Sequence, residues 1–235
     1  MAAPGRLHFE TRSTAEGGHP TSDSARRLKD GSNAEPSLTA CSDLWCGSSA
    51  AKSEGSVKPE HSRERQHMTV TELADAYLAG ATQLRAAVAG MTREQLAARP
   101  IAGKWSTLEV VAHIADFEAV MADRIKRVAS HDNPTILGAD ENLFASHLSY
   151  HDRDLEEELA VVEAIRTSTA RTIRSLPAAA LSRIGTHNEA GVLTLEQWIQ
   201  RAINHIPHHV KFIREKRAVL GLRNAAEEGS IEETT

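Results

Sequence analysis

The sequence predicts an all-α fold, a four-helix bundle with one short extra helix, and three observations support this prediction. Long segments carry apolar residues at helical spacing. No segment alternates apolar and polar residues with the β-branched enrichment of a strand. Four segments begin with a capping box, in which Ser or Thr is followed three residues later by Glu or Gln. These starts are Thr69–Glu72, Thr92–Gln95, Ser106–Glu109 and Thr194–Gln197.

The helix boundaries follow from these starts and from breakers downstream. Residues 130–152 are predicted to be irregular, because Asn133-Pro134 and Gly138 interrupt them. The connections before and after the third long helix are longer than a minimal bundle requires. We expect both connections to cover one end of the bundle. The predicted helices run from Thr69 to about Ala89, from Thr92 to Arg99-Pro100, from Thr107 to about Ala129, from about Leu155 to Ser175, and from Leu195 to Leu220.

The domain organisation is predicted from the change in composition along the chain. Residues 1–67 are rich in Ser, Thr, Gly and Pro without periodic apolar residues, which predicts a disordered low-complexity extension. Residues 68–223 have the length of one domain, and residues 224–235 form an acidic tail that we expect to be disordered. Since Met68 opens the first patterned stretch, we expect the upstream segment to reflect a misplaced start codon.

Composition argues against several classes of function. A formal net charge of −5 gives no indication of nucleic-acid binding, and no apolar stretch reaches the length of a membrane span. Cys41 and Cys46 lie in the predicted extension and are interpreted as two unpaired thiols. A predicted domain without cysteine fits the reducing cytoplasm and excludes a thiolate-ligated zinc site.

The histidines suggest a metal site. His205 and His209 are four residues apart on the apolar face of the last helix, and His113 lies on the apolar stripe of an earlier one. Three imidazoles leave one position of a tetrahedral metal open, as in catalytic zinc sites. A simpler interpretation makes His113 a hydrogen-bonded core residue and the later histidines partners of a helix dipole. Spacing alone does not decide between His208 and His209.

Three sequence blocks resemble the DinB-like four-helix metalloproteins, in the YfiT-like branch of bacillithiol S-transferases and metal-dependent hydrolases. The resemblance implies that His113, His205 and His209 bind zinc or nickel, and that the protein is a homodimer. The blocks are Gly103–Asp116, with Trp105 and a His-x-Ala-Asp ending; Pro134–Glu141; and His187–His209, with a His-Asn-Glu-x-Gly turn and a final His-x-x-His-His.

Two chemistries are open to an imidazole-only site. It can activate a low-molecular-weight thiol for S-transfer to a small electrophile, and this is the chemistry that we expect. Alternatively, it can provide a metal-bound hydroxide that hydrolyses an amide or ester. A non-catalytic helical interaction protein is the other alternative. Asp116, Glu118 and Glu141 are the candidate proton acceptors, and the first two could also orient ligand imidazoles. His187 is interpreted as a turn residue rather than as part of a pocket lining.

Pro207 lies between the two helical histidines and conflicts with a regular helix. Proline lacks a backbone N–H and its ring crowds the carbonyl of Ile203, at a cost of about 3 kcal/mol in a helix interior. A kink would still allow both imidazoles to bind one metal, whereas a complete break would separate them. We expect the kink.

Overall fold

The computed structural model describes residues 68–223; the predicted extension 1–67, with both cysteines, and the tail 224–235 lie outside this range. The described part is mainly helical, as predicted. Its α-helices are α1 (Val70–Val88), α2 (Arg93–Ala97), α3 (Thr107–Ser130), α4 (Glu141–His147), α5 (Leu155–Arg174) and α6 (Leu195–Val219). Its strands are β1 (Thr135–Ile136), β2 (Ile184–His187) and β3 (Gly191–Thr194), and short 3-10 helices span Tyr150–Asp152 and Ala178–Ser182.

All four predicted capping boxes are present. At the start of α1, α2, α3 and α6, the hydroxyl of the capping Ser or Thr accepts a hydrogen bond from a backbone amide three residues on. The Glu or Gln at that position reaches back to the amide of the capping residue, so that two otherwise unpaired donors are satisfied. The remaining long helix, α5, begins instead after Asp154, whose carboxylate accepts from the amides of Glu156 and Glu157.

The four long helices form the bundle. Helices α1 and α3 each pack against both α5 and α6, so α1 lies diagonally across from α3, its successor among the long helices. In a simple up-and-down bundle, successive helices are neighbours. The core comprises two apolar clusters: one contains Leu108, Ile114 and Ile206, and the other contains Met121 and Trp198. Within residues 68–223, no helix is long and apolar enough to cross a membrane.

A small sheet replaces part of the predicted irregular structure, so the prediction of no strands was wrong. Strand β1 pairs with β2 in parallel, with Thr135 opposite Thr186, and β2 pairs with β3 in an antiparallel hairpin. Each strand has four residues or fewer, too short for an alternating pattern to be recognised. Gly191, with φ +75°, provides the left-handed conformation at the start of β3.

A second short helix, α4, also lies in the segment that was predicted to be irregular, and only one short extra helix was expected. It begins where the carboxylate of Asp140 accepts hydrogen bonds from the amides of Asn142 and Leu143. No residue of α4 is fully buried, so its sequence lacks the apolar stripe by which longer helices are recognised.

Candidate metal centre

Three histidine side chains meet between α3 and α6. His113 lies within α3, and His205 and His209 project one turn apart from the facing side of α6. The Nε2 atom of His205 is 3.3 Å from Nε2 of His113 and 3.1 Å from Nε2 of His209. All three residues are at least 95% buried, with exposed fractions of 1%, 4% and 5%. The sequence pattern placed each of these residues on the apolar face of its helix, and the structure brings their ring nitrogens together.

The spacing of these nitrogens fits a single small cation. Nitrogen ligands about 2.0–2.1 Å from a tetrahedral zinc ion are roughly 3.3 Å apart along each edge. The two Nε2–Nε2 distances of 3.1 and 3.3 Å match that edge, and each histidine has a ring nitrogen within 4.8 Å of those of the others. A zinc or nickel ion is therefore compatible with the residues that are present.

The three imidazoles are neutral near neutral pH, as metal ligands must be. Burial, together with a smaller contribution from the nearby His208, lowers the pKa of His113 to about 3. Burial also places the pKa values of His205 and His209 well below the ordinary value, and neighbouring histidines add to the effect. A neutral imidazole retains the lone pair that a metal requires, so no proton has to be displaced.

His208 has a different position from its neighbour His209. Its ring is half-buried and packs edge-on against Phe212, at a centroid distance of 5.0 Å. His209 and not His208 belongs to the histidine cluster in the described part of the chain. Helix α6 runs without interruption through Pro207, so the complete break that would have separated His205 from His209 does not occur.

Aromatic side chains surround the histidines. The ring of Phe117 is centred 4.4 Å from that of His113 and 6.3 Å from that of His205. Trp105 lies 5.3 Å from His113 on another side, and Phe144 of α4 packs against Phe117 at 5.4 Å. Trp105 and Phe117 thus place apolar surface against the histidines, and Phe144 lies behind Phe117.

The carboxylate of Glu118 is fully engaged in a buried network. One oxygen accepts a hydrogen bond from the hydroxyl of Tyr77, and the other accepts from Nε of Arg166 at 2.9 Å. Arg166 also donates to the backbone carbonyls of Tyr77 and Ala202. Burial raises the pKa of Glu118, and the Arg166 guanidinium opposes that shift. Glu118 and Arg166 therefore connect all four long helices.

Asp116 lies one turn along α3 from His113 and is held by Arg153. The two guanidinium nitrogens of Arg153 donate to its two carboxylate oxygens, at 3.0 and 2.9 Å. Arg153 also contacts Glu158, so it links α3 to the start of α5. Asp116 accepts no hydrogen bond from Nδ1 of His113, which has no partner among the described residues.

Glu141 is the first residue of α4 and is half-buried. It is three residues from Phe144, so both lie on the same face of α4. Burial raises the pKa of Glu141, and the adjacent Asp140 raises it further. Phe144 on this face packs against Phe117, whose ring in turn contacts that of His113.

Comparison with known proteins assigns the family. The sequence model of the DinB superfamily matches residues 76–213. The chain belongs to the DinB superfamily. It is 27% identical over 130 residues to a "Putative metal-dependent hydrolase" of Oceanobacillus iheyensis, covering 55% of this chain and 75% of that protein. A protein of the same name from Geobacillus thermodenitrificans is 30% identical over 115 residues, covering 49% of this chain and 61% of that protein.

The fold of this DinB-superfamily chain is similar to a solved structure. YfiT from Bacillus subtilis is described as "a probable metal-dependent hydrolase with an unusual four-helix bundle topology". The TM-score is 0.63 at 24% sequence identity, and the match covers 72% of this chain and 96% of that chain. The predicted resemblance to DinB-like four-helix proteins is thereby confirmed for family and fold.

His187 occupies the turn of the β2–β3 hairpin. Its Nδ1 atom accepts hydrogen bonds from the backbone amides of Glu189 and Ala190, both at 3.1 Å. The proton of the neutral ring is therefore on Nε2. The side chain is buried against Trp198, at a centroid distance of 5.7 Å. The turn interpretation of His187 agrees with these hydrogen bonds.

Sequence reasoning missed Arg166, although the sequence carries a signal for it. Arg166 falls on the buried face of α5 between Val162 and Ala170, where an apolar residue would be expected. A second signal is Gly80 inside α1, since a Cβ atom there would clash with the Arg166 guanidinium. A glycine within a helix costs about 1 kcal/mol relative to alanine, so its presence indicates a close approach.

Proposed function

We propose that this protein is a metal-dependent enzyme in which His113, His205 and His209 hold one zinc or nickel ion. The convergence of three buried, neutral imidazole nitrogens at the edge length of a tetrahedron is the observation that supports this proposal most. Three protein ligands leave a coordination position open, as in catalytic rather than structural sites. The description of its relatives as metal-dependent hydrolases also supports a metal-dependent activity.

We further propose that the reaction is the transfer of a low-molecular-weight thiol to a small electrophile. When bound, the metal supplies Lewis acidity that lowers the pKa of a thiol or a water molecule. The thiol releases its proton to solvent, its sulfur forms a bond to an electrophilic carbon of the substrate, and the leaving group departs with the electron pair of the bond that breaks. Trp105 and Phe117 place apolar surface against His113, with Phe144 behind Phe117, and this surface would limit competing attack by water.

The state of the nearby carboxylates favours a thiol over water. Hydrolysis of an amide needs a base for the attacking water and an acid for the leaving amine. Asp116 and Glu118 are paired with arginines, so neither is well placed to exchange protons. A thiol is the stronger acid by several pKa units and needs less assistance to lose its proton.

Hydrolysis is the second candidate, and Glu141 is the observation that favours it. Its raised pKa and its position on the face of α4 that carries Phe144 suit a group that accepts a proton from water and returns it to the product. The descriptions of the relatives agree with this alternative.

Metal analysis and a paired substrate screen test the proposal. Protein purified without a histidine tag should contain one equivalent of zinc or nickel, and His209→Ala protein should contain little. The metal-loaded protein is then given electrophiles with and without added thiols, and the products are identified by mass spectrometry. Activity that requires the thiol supports S-transfer, and ester or amide cleavage without a thiol supports hydrolysis. A stable wild-type protein that binds no metal would refute both and support a non-catalytic interaction protein.

A further inference from the structure

The histidines of the candidate metal centre are buried, although a substrate has to reach a catalytic metal. The exposed fractions of His113, His205 and His209 are 1%, 4% and 5%. The ring of Phe117 packs beside two of them, with its centroid 4.4 Å from that of His113 and 6.3 Å from that of His205. Phe117 is itself 1% exposed. An open coordination position therefore needs a movement of the protein that makes it accessible.

Residues 139–149, which we call the α4 segment, are weakly attached to the bundle. Helix α4 has no fully buried residue, and in the described part of the chain its side chains form hydrogen bonds only with residues at most four positions away. Its contacts with the bundle are apolar. The half-buried Phe144 packs against Phe117 at a centroid distance of 5.4 Å, and Ala145 packs against the core cluster that contains Leu108. Elements with few buried apolar contacts open at low free energy.

Both ends of the α4 segment are fixed to the rest of the domain. Just before it, the backbone amide of Gly138 donates to the side-chain oxygen of Asn188 at 2.8 Å. Just after it, Tyr150 is fully buried, and the backbone carbonyl of Arg153 accepts from the guanidinium of Arg93 at 2.6 Å. A weakly attached segment between two fixed ends is the arrangement of a flap.

Ser149, the last residue of the α4 segment, has the backbone of a hinge. Its φ of +51° and ψ of +45° are left-handed, which is unfavourable for a residue with a Cβ atom. Backbone strain of this kind is concentrated in segments that change conformation. A movement that lets Ser149 leave the left-handed region releases this strain and so lowers the free energy of opening.

We propose that the α4 segment is a flap that opens to admit the substrate to the metal centre, and that Phe144 is its latch. In the closed state, the Phe144 ring lies behind Phe117, whose ring contacts that of His113. When the flap opens, Phe117 loses this outer neighbour, and its ring can turn away from the histidines. The role in substrate entry rests on the proposed function, whereas the opening itself is measurable without a metal.

Chemical modification of histidines in the metal-free full-length protein tests the flap. Diethyl pyrocarbonate is the probe, because it acylates neutral imidazoles that it can reach, and peptide mass spectrometry gives the rate at each histidine. In wild type, His113, His205 and His209 should react at least about 100-fold more slowly than His151, whose side chain is 65% exposed. Their slow reaction then reports how often the path to the metal centre opens.

Removal of the latch should accelerate this modification. Phe144→Ala should raise the rate at the three histidines about ten-fold, because the aromatic contact that holds the flap closed is lost. Leu143→Ala is the matched control on the same helix; Leu143 is 56% exposed, so the rate should change by less than about two-fold. His187, buried away from α4, reports global unfolding and should not react faster. An unchanged rate in Phe144→Ala, or equal acceleration at His187, would overturn the inference.

Extraction of zinc by a chelator separates failure of the flap from failure of the proposed function. In zinc-loaded protein, Phe144→Ala should accelerate extraction by EDTA about ten-fold, while the equilibrium affinity stays within about three-fold because the ligands are unchanged. Tight zinc binding with an unchanged extraction rate would overturn the flap and leave the metal site intact. A wild-type protein that binds no zinc would refute the proposed function, and the modification rates would still decide whether the flap exists.

Discussion

Substitution of Glu118 by Gln should destabilise the protein strongly without acting through the metal centre. Glu118 and Arg166 are both 0% exposed, and the carboxylate is the anion paired with that guanidinium. Removing one partner of a buried ion pair costs about 3–5 kcal/mol, because the other charge is left uncompensated. For a domain of this size, each kcal/mol lowers the melting temperature by about 2–4 °C. The expected decrease is therefore roughly 6–20 °C.

Urea denaturation of the metal-free protein measures the effect, and a double substitution is its control. Glu118→Leu combined with Arg166→Met removes both charges and should recover at least half of the lost stability, since apolar replacements of buried pairs are often neutral. Zinc affinity of the folded Glu118→Gln protein should stay within about three-fold of wild type, because Glu118 bonds to Tyr77 and Arg166. If the variant were as stable as wild type but inactive, Glu118 would be a proton acceptor and the structural interpretation would be wrong.

Two further predictions concern histidines. His209→Ala should abolish tight zinc binding, whereas His208→Ala should weaken zinc binding by less than about ten-fold. Competition with a chelator measures both affinities. Reversed effects would show that His208 is the ligand. Burial is the main cause that lowers the pKa of His187 in the folded protein. The neutral His187 side chain therefore contributes fully to stability above the pKa of histidine in the unfolded chain, which is about 6.5. This contribution declines as the pH falls below that value. The His187→Asn variant keeps an acceptor for the turn amides, and it should lose less stability than wild type between pH 7.5 and pH 5.5. Urea denaturation at the two pH values measures this loss. An equal loss in both proteins would contradict the prediction.

The long helices and the histidine cluster could be predicted because their signals are local or periodic. A capping box occupies four residues, and the four that the sequence contains all begin helices in the structure. His205 and His209 share a face at i,i+4, and His113 lies on the buried stripe of α3. Only the pairing of α3 with α6 was needed to bring them together, and the resemblance to a family supplied that pairing.

The small sheet, α4 and the partners of the carboxylates could not be predicted in the same way. Strand β1 has two residues and is defined by pairing with β2, about fifty positions later in the chain. The pairing of Glu118 with Arg166 likewise depends on which helices are adjacent, and α1 and α3 are diagonal although they are successive long helices. Asp116 was assigned from its proximity to His113 in sequence, whereas its partner Arg153 lies thirty-seven residues away. These features are set by tertiary contacts that a local pattern does not contain.

Pro207 is the position where the local preference and the site geometry conflict, and its substitution separates the two. Helix α6 continues through Pro207, which cannot donate to the carbonyl of Ile203. Pro207→Ala should restore that bond and stabilise the metal-free protein by up to about 3 kcal/mol, measured by urea denaturation. If the proline kinks the helix, as the sequence predicts, its removal would also rotate His209 relative to His205, whose Nε2 atoms are 3.1 Å apart, and so weaken zinc binding. Lys211→Ala, an exposed change on the same helix, is the control and should alter neither quantity appreciably. An increase in both stability and zinc affinity would mean that the proline has no role in orienting the ligands.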